Sequence, residues 1–275
     1  MPDNNILNSI IGYQEAVKVK DELAHTGNNF SAQKWDVSNT VEKLHPKRLT
    51  LELAEIIDET ESTKTLRFIS TGASLPPFQA GQYINLFVTI DGVETARPYA
   101  ISSSPKSRAL SDNDSSYYDL TVKRVNGGFV SHYLLDETRV GQQFLSTGPM
   151  GTFYHNPLFH GKDLVFLAGG SGIAPAISML KDVLERNLPY QFHFVYASSY
   201  LDDVIFDKEL RALAEQHKNF LLTEVISRPP EGHTGLSGHL NSELLKGILG
   251  SVDEKTFYIC GPTPFNEYCQ SQLWE

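Results

Sequence analysis

The stretch DLVFLAGGSGIAP, Asp163–Pro175, decides how the second half of this chain is built. Asp163–Ala168 reads as a strand whose Leu164–Ala168 is an unbroken apolar run, the pattern of a strand covered on both faces. Gly169-Gly170-Ser171-Gly172 then breaks it, and Pro175 suits the first turn of a following helix that runs to about Asn187. Strand, glycine turn and helix in that order repeat downstream. QFHFVYA (Gln191–Ala197), NFLLTEVI (Asn219–Ile226) and KTFYIC (Lys255–Cys260) read as strands, with helices near Asp207–His217, from Asn241 and from near Pro264. Such alternation predicts a parallel sheet with helices on both faces.

Upstream the texture is different. LTLELAEII (Leu49–Ile57), TLRFIS (Thr65–Ser70), YINLFVTI (Tyr83–Ile90), TARPYAIS (Thr95–Ser102), YYDLTVKRV (Tyr117–Val125) and QQFLST (Gln142–Thr147) are short strands. Pro76-Pro77, Asp91-Gly92, Asn126-Gly127-Gly128 and Gly148-Pro149 punctuate them, and one short helix, Val130–Leu135, interrupts them. Six strands at this spacing predict a closed antiparallel barrel. Ser102–Ser116 reads as a mobile polar loop. Before the barrel, Ile6, Ile10, Tyr13 and Val17 recur at helical spacing, with Asp3 or Asn4 as cap and Gly27-Asn28-Asn29 as stop. The expected organisation is a helical extension over residues 1–46 packed on the body, a barrel over 47–158, and an α/β nucleotide-binding domain over 159–275.

Composition narrows the function. The 275 residues are 40% hydrophobic and 20% charged, an ordinary globular mixture. Acids outnumber bases 33 to 23, giving a formal charge of -10 with no basic block, which argues against nucleic acid or an anionic membrane as partner. No apolar run approaches the roughly 20 residues of a bilayer span, and the N-terminus lacks the pattern of a signal peptide. Two cysteines, Cys260 and Cys269, support neither a disulfide framework nor a thiolate metal or iron–sulfur site, so no metal is expected and a reducing cytoplasm fits.

Four segments carry chemistry, and each alone has a structural reading beside the functional one. Ala168–Pro175 is a diphosphate-binding turn or a tight packing turn. Arg97-Pro98-Tyr99-Ala100 places a guanidinium and a ring on one strand face, for a phosphate and a planar heterocycle or merely for surface and core. Asn126–Ser131 is a second glycine turn entering a helix, an anion site or a capped hairpin. Cys260-Gly261-Pro262 ends the last strand, where ligands of open α/β sheets sit, although a lone Cys there also serves as a small buried residue. His132, His155 and His193 read as structural or surface residues.

Taken in order, R-P-Y, G-G-F-V-S, G-G-S-G-I-A-P and C-G-P resemble the ferredoxin–NADP reductase-like flavoprotein family, which includes reductase components of bacterial oxygenases. Gly148-Pro149-Met150-Gly151-Thr152-Phe153 and Tyr196-Ala197-Ser198 match as well, so the resemblance runs from about Lys47 onward. It implies FAD in the barrel, with FMN the lesser alternative, and NADH or NADPH in the second domain. It implies that Arg97 holds flavin phosphate, that Tyr99 packs on the isoalloxazine with Pro98, Ala100 and Val122 around it, and that Gly128, Phe129, Val130 and Ser131 cradle the diphosphate. Gly170, Ser171, Gly172, Ile173, Ala174 and Pro175 would meet the nicotinamide nucleotide, and Ser198 would lie near its adenosine ribose. Cys260, Gly261 and Pro262 would border the nicotinamide, with Tyr99 and Cys260 as the catalytic pair. The implied activity is hydride transfer from NAD(P)H to flavin and delivery of electrons to an iron–sulfur or haem acceptor. A non-catalytic flavin-binding subunit of a larger complex is the alternative. Ala100 departs from the family's Ser or Thr at that position. The chain also stops inside its last helix, which reads as a piece of a longer protein, one in which a C-terminal ferredoxin domain could follow. Asp202 and Asp203 after the second α/β strand favour a ribose diol over a 2′-phosphate, hence NADH, against the single cation Arg228.

Overall fold

The computed structural model describes residues 13–25, 40–41, 48–72, 74–108 and 116–274. Residues up to His45 form a unit of their own. Its helix α1, Tyr13–His25, carries a half-buried Val17 and exposed Lys18, Val19, Lys20, Asp21 and Glu22. Ile6, Ile10, the expected cap and the stop at Gly27-Asn28-Asn29 lie outside the described residues.

The barrel strands are β1 (Leu49–Thr60), β2 (Thr63–Ser70), β3 (Tyr83–Ile90), β4 (Val93–Ala100), β5 (Tyr117–Lys123) and β6 (Gln143–Ser146), in sheet order β4-β3-β6-β1-β2-β5. Their period-2 pattern fixes which face turns inward. Leu49, Leu51 and Leu53 of β1 and Ile84, Leu86, Val88 and Ile90 of β3 meet Leu66, Phe68, Leu120 and Val122 in one core. Asp91-Gly92 becomes a two-residue hairpin turn with positive φ at both positions, as the dipeptide predicts. Irregular register near Leu53–Glu55 and Asp58–Thr60 bends β1 before its hairpin with β2. The two edge strands approach each other at the Ile101–Leu120 bridge, which closes the barrel at that end. Helix α2, Phe129–Asp136, caps the barrel core with Val130, Leu134 and Leu135. The centre of the polar loop after Ser102 lies outside the described residues. Its first part, Ser102–Ser104, is buried.

The second half holds β7 (Asp163–Gly169), α3 (Ile173–Glu185), β8 (Gln191–Ser198), α4 (Asp207–Gln216), β9 (Phe220–Ile226), β10 (Leu236–Ser237), α5 (Ser242–Leu249), β11 (Thr256–Cys260) and α6 (Thr263–Trp274). All five strands are parallel, in order β10-β9-β8-β7-β11. Alternate residues of β7 divide between two cores. Leu164, Phe166 and Ala168 pack with α3 and α4, whereas Val165 and Leu167 pack with α5 and α6. β7 is therefore covered on both faces, as its apolar run predicts. Strand β10, only two residues long and in a stretch to which the sequence reading assigns no element, adds a fifth parallel strand beside β9.

Barrel and sheet share contacts. Ala80 enters the core around α3, and Ser178 Oγ of α3 donates to the Ser103 carbonyl at 2.7 Å. Ser104 bonds the Glu185 carboxylate, and Lys106 Nζ donates to the Glu185 carbonyl at 2.5 Å. No helix of the described residues is long and apolar enough to cross a membrane.

Candidate functional site

A cleft of about 750 Å³ opens over the carboxyl ends of the parallel strands. Gly169-Gly170-Ser171, Ser198 and Ser199, Ser227, and Pro262 and Pro264 line it from the sheet side. Lys123-Arg124-Val125 of the barrel form the facing wall, with Gly238-His239-Leu240 and Tyr268 at the end. This is the position where open α/β sheets hold ligands.

The glycines build the cleft by letting two strand ends abut. A Cβ on Gly172 would lie 1.9 Å from the Cys260 carbonyl oxygen, and one on Gly261 would lie 2.6 Å from the Phe265 ring. One on Gly169 would meet the same ring at 2.9 Å. The G-G-S-G and C-G-P motifs are thus two sides of one contact. Gly170 has φ +53 and open space around it, so its need is conformational. Its carbonyl accepts the Tyr196 hydroxyl at 3.1 Å, and that hydroxyl accepts the Ile205 N–H at 3.1 Å. Burial pushes the Tyr196 phenol far up, which keeps it a donor. Helix α3 follows with no side-chain cap, and its Ile173 N–H bonds the Gly170 and Ser171 carbonyls, so what this end of the helix offers an anion is its positive dipole end.

On the barrel, β4 is an edge strand, which accommodates Pro98. Arg97 is exposed. Its Nη1 donates to Thr95 Oγ1 at 2.9 Å and to the Ala96 carbonyl at 2.8 Å, and no carboxylate among the described residues pairs with it. Tyr99, two residues on, is half-buried against the barrel core. Burial pushes its phenol up to about 12, although Arg97 pulls the other way, so the ring is neutral at ordinary pH. Helix α2 also starts without a side-chain cap, directly after Gly127 at φ +68 and Gly128. A Cβ on Gly128 would lie 2.5 Å from Ser131 Oγ.

Several expectations change at this level. Ser131 Oγ accepts the Val125 N–H at 3.1 Å, so its hydroxyl closes the turn and its backbone is what faces outward chemistry. Ser198 Oγ is likewise engaged within its own loop, by the Tyr200 carbonyl at 3.1 Å and the Asp203 carbonyl at 3.3 Å. Ile173, Ala174 and Pro175 are buried core residues of α3, and the cleft is lined by Gly169–Ser171 in their place. Val122 is wholly buried in the barrel core. Phe129 is exposed and Val130 buried at the first turn of α2. Ala100, next to Tyr99, is half-buried. Cys260 is half-buried, and burial pushes its thiol up to about 11. Pro262 lines the cleft, whereas Cys260 stands behind it, against Gly172. Of the two acids expected beside a ribose, Asp203 lines the cleft but is already partnered. Its carboxylate bonds Lys123, Ser62 Oγ at 2.7 Å and Thr60 Oγ1 at 3.2 Å, all from the barrel. Burial would raise it, but these three partners hold the Asp203 carboxyl below the usual range.

Sequence reasoning did not reach Lys123, His239 or Tyr268 in the cleft wall, because each lies outside a glycine motif. Arg228, by contrast, is where it was expected, beside the Ser198–Asp203 loop. Its Nη1 donates to the Tyr200 hydroxyl at 2.9 Å, and its N–H bonds the Ser199 carbonyl at 2.9 Å.

Comparison with known proteins names the class this geometry belongs to: a flavin-binding barrel joined to a nicotinamide-nucleotide fold. Residues 50–155 match the oxidoreductase FAD-binding domain and residues 166–271 the oxidoreductase NAD-binding domain. The chain is 33% identical over 221 residues to the glycine betaine monooxygenase reductase subunit of Pseudomonas aeruginosa, which covers 79% of this chain and 58% of that protein. It is 30% identical over 223 residues to NADH-cytochrome b5 reductase 1 of Aspergillus fumigatus, covering 77% of this chain and 69% of that one. The solved Amycolatopsis cytochrome P450 reductase GcoB has the same fold, with a TM-score of 0.72, 24% identity, and coverage of 84% and 66%. The chain belongs to the ferredoxin–NADP reductase-like flavoprotein family. It spans 58% of the length of the bacterial reductase subunit it matches.

Proposed function

We propose that this chain is an FAD-dependent NADH oxidoreductase whose electrons go to an iron–sulfur or haem acceptor. The observation that carries the reading is the cleft, whose one wall is the glycine turn of the sheet and whose other wall is the barrel. A dinucleotide lying there has the flavin-binding domain as its neighbour. The residues fit FAD: a guanidinium at Arg97 that pairs with no carboxylate among the described residues, a half-buried neutral ring at Tyr99, and a helix start at Gly128–Ser131 without a side-chain cap. FAD, once bound, supplies the exchange between two-electron and one-electron chemistry that no side chain here provides.

The protein's own part is binding and orientation. Arg97 takes flavin phosphate, and the backbone N–H groups of Phe129, Val130 and Ser131 take the diphosphate, with Gly128, whose N–H bonds the Val125 carbonyl at 2.9 Å, shaping the turn that presents them. Tyr99 offers its ring face, with Pro98 and Ala100 shaping the strand beside it and Val122 supporting it from the core. On the sheet side Gly170, Ser171 and Gly172 receive the coenzyme diphosphate, and Ile173, Ala174 and Pro175 hold that turn rigid from behind. Ser198 fixes the loop next to the adenosine ribose. Gly261 and Pro262 border the nicotinamide, and Cys260 stands there as a neutral thiol, since its raised pKa keeps it from being a thiolate nucleophile. Relatives named for a monooxygenase, for cytochrome b5 and as flavohemoproteins support an iron–sulfur or haem acceptor, including one carried on a further domain of the same polypeptide.

The test is anaerobic mixing of the FAD-loaded protein with NADH, followed by turnover with ferricyanide and cytochrome c. Bleaching of the flavin absorbance and steady acceptor reduction are expected. Tight FAD binding with no bleaching by either nicotinamide nucleotide would overturn the reading in favour of a non-catalytic flavin-binding subunit.

A further inference from the structure

We propose that Asp203 is a latch between the two halves of the molecule, a positioning residue for the coenzyme and not one of its ligands. The inference rests on the cleft being the coenzyme site. Asp203 ends the loop that begins at Ser198 and walls the cleft. One carboxylate oxygen accepts Ser62 Oγ at 2.7 Å and Thr60 Oγ1 at 3.2 Å, both from the β1–β2 hairpin of the barrel. The other pairs with Lys123 at the end of β5. Its backbone carbonyl accepts Ser198 Oγ at 3.3 Å, and that hydroxyl also reaches the Tyr200 carbonyl. The chain of contacts therefore runs from barrel hairpin to carboxylate to loop to strand end.

Two consequences separate a latch from a ligand. A ribose diol approaching this carboxylate would have to displace charge-assisted bonds already made within the protein. The negative charge is also answered by Lys123, so it exerts little repulsion on a coenzyme phosphate. What Asp203 does set is where the Ser198–Asp203 loop stands relative to the barrel. Among the described residues, the bridges of Ser178 to Ser103 and of Ser104 and Lys106 to Glu185 run along α3, that of His155 to Tyr258 lies at the joining segment, and none of those residues lines the cleft. A shift of about 1 Å in such a wall can change a rate or affinity by as much as roughly a hundredfold.

The test uses the full-length FAD-loaded protein and the variants Asp203→Asn, Ser62→Ala and their combination. Ser62 is in the barrel hairpin and does not line the cleft; its carbonyl, which accepts the N–H of the cleft residue Arg124 at 2.7 Å, is kept in Ser62→Ala, so an effect on coenzyme affinity that disappears in the Asp203 variant travels through Asp203. Asp203→Asn should raise KM for NADH and NADPH in the same proportion, by about tenfold, and Ser62→Ala by about threefold, with the effect on KM exceeding that on kcat. The combined variant should be no worse than Asp203→Asn alone. The same ratios should appear in the Kd for ADP-ribose, which needs no hydride transfer. The latch is overturned if KM and Kd are unchanged in Ser62→Ala, if the two effects multiply, or if Asp203→Asn favours NADPH selectively. Should Asp203→Asn lose FAD or fold poorly, Ser62→Ala decides alone. Failure of the wild-type protein to be reduced by either coenzyme would count against the proposed function, and the ADP-ribose ratios would still decide the latch.

Discussion

At the scale of single residues, the two motif glycines of the cleft make separable demands. Gly172 is pressed against a carbonyl oxygen 1.9 Å from where a Cβ would stand, whereas Gly170 has open space and a φ of +53. Gly170→Ala should therefore cost about 1 kcal/mol of backbone strain, and Gly172→Ala more, since the β7 and β11 ends must part. Thermal denaturation of the two variants checks the order. Arg97→Ala should weaken FAD about ten- to hundredfold, the usual loss for a charge-assisted contact, and flavin titration of the apoprotein measures it. Cys260→Ala should fold and keep flavin but slow flavin reduction by NADH, because the thiol fills the space behind Pro262. With a thiol raised to about 11, the same step should show no inflection from Cys260 between about pH 6 and 9 in stopped-flow reduction.

Elements were legible in sequence where period and punctuation agreed. The apolar runs of β7 and β8 are covered on both faces, and Asn241 accepts the Leu244 N–H at 2.8 Å as the cap of α5. Two-residue β10 has no pattern to read. That the Ser131 and Ser198 hydroxyls are taken up by nearby backbone depends on loop geometry and leaves no pattern in the sequence. Lys123 and Asp203 stand 80 positions apart and meet only in the fold. The segment joining barrel to sheet holds another such meeting. Tyr258 Oη of β11 lies 3.0 Å from His155 Nδ1 and 2.8 Å from His160 Nδ1, and His160 Nδ1 also accepts the Asn156 N–H. Burial, with His160 nearby, lowers the His155 pKa from its ordinary 6.5. Neutral His155 is thus favoured by folding. Its contribution is complete above about pH 6.5 and fades as pH falls through the lower folded value. The difference in Tm between wild type and His155→Gln should shrink on acidification from about pH 7.5 to 5.5; a constant difference would refute this coupling.

For the whole molecule, the coenzyme preference depends on how charge is distributed over the cleft. With Asp203 neutralised by the barrel, Asp202 is the acid left in the loop, and it is exposed. Arg228 faces Tyr200, its guanidinium 5.8 Å from the ring centroid. NADH is still expected to be preferred, since a lone guanidinium provides little of the basic cluster a 2′-phosphate requires. Comparing kcat/KM for the two nucleotides tests this, and a tenfold preference for NADPH would make Arg228 the governing group. The bridge at Asp203 also bears on protein engineering. Four residues from three separate stretches of chain, Thr60, Ser62, Lys123 and Asp203, behave as one connector. A chimaera that joins this barrel to the sheet of another reductase must carry all four across together, or the new partners will be fused in sequence yet misregistered at the cleft.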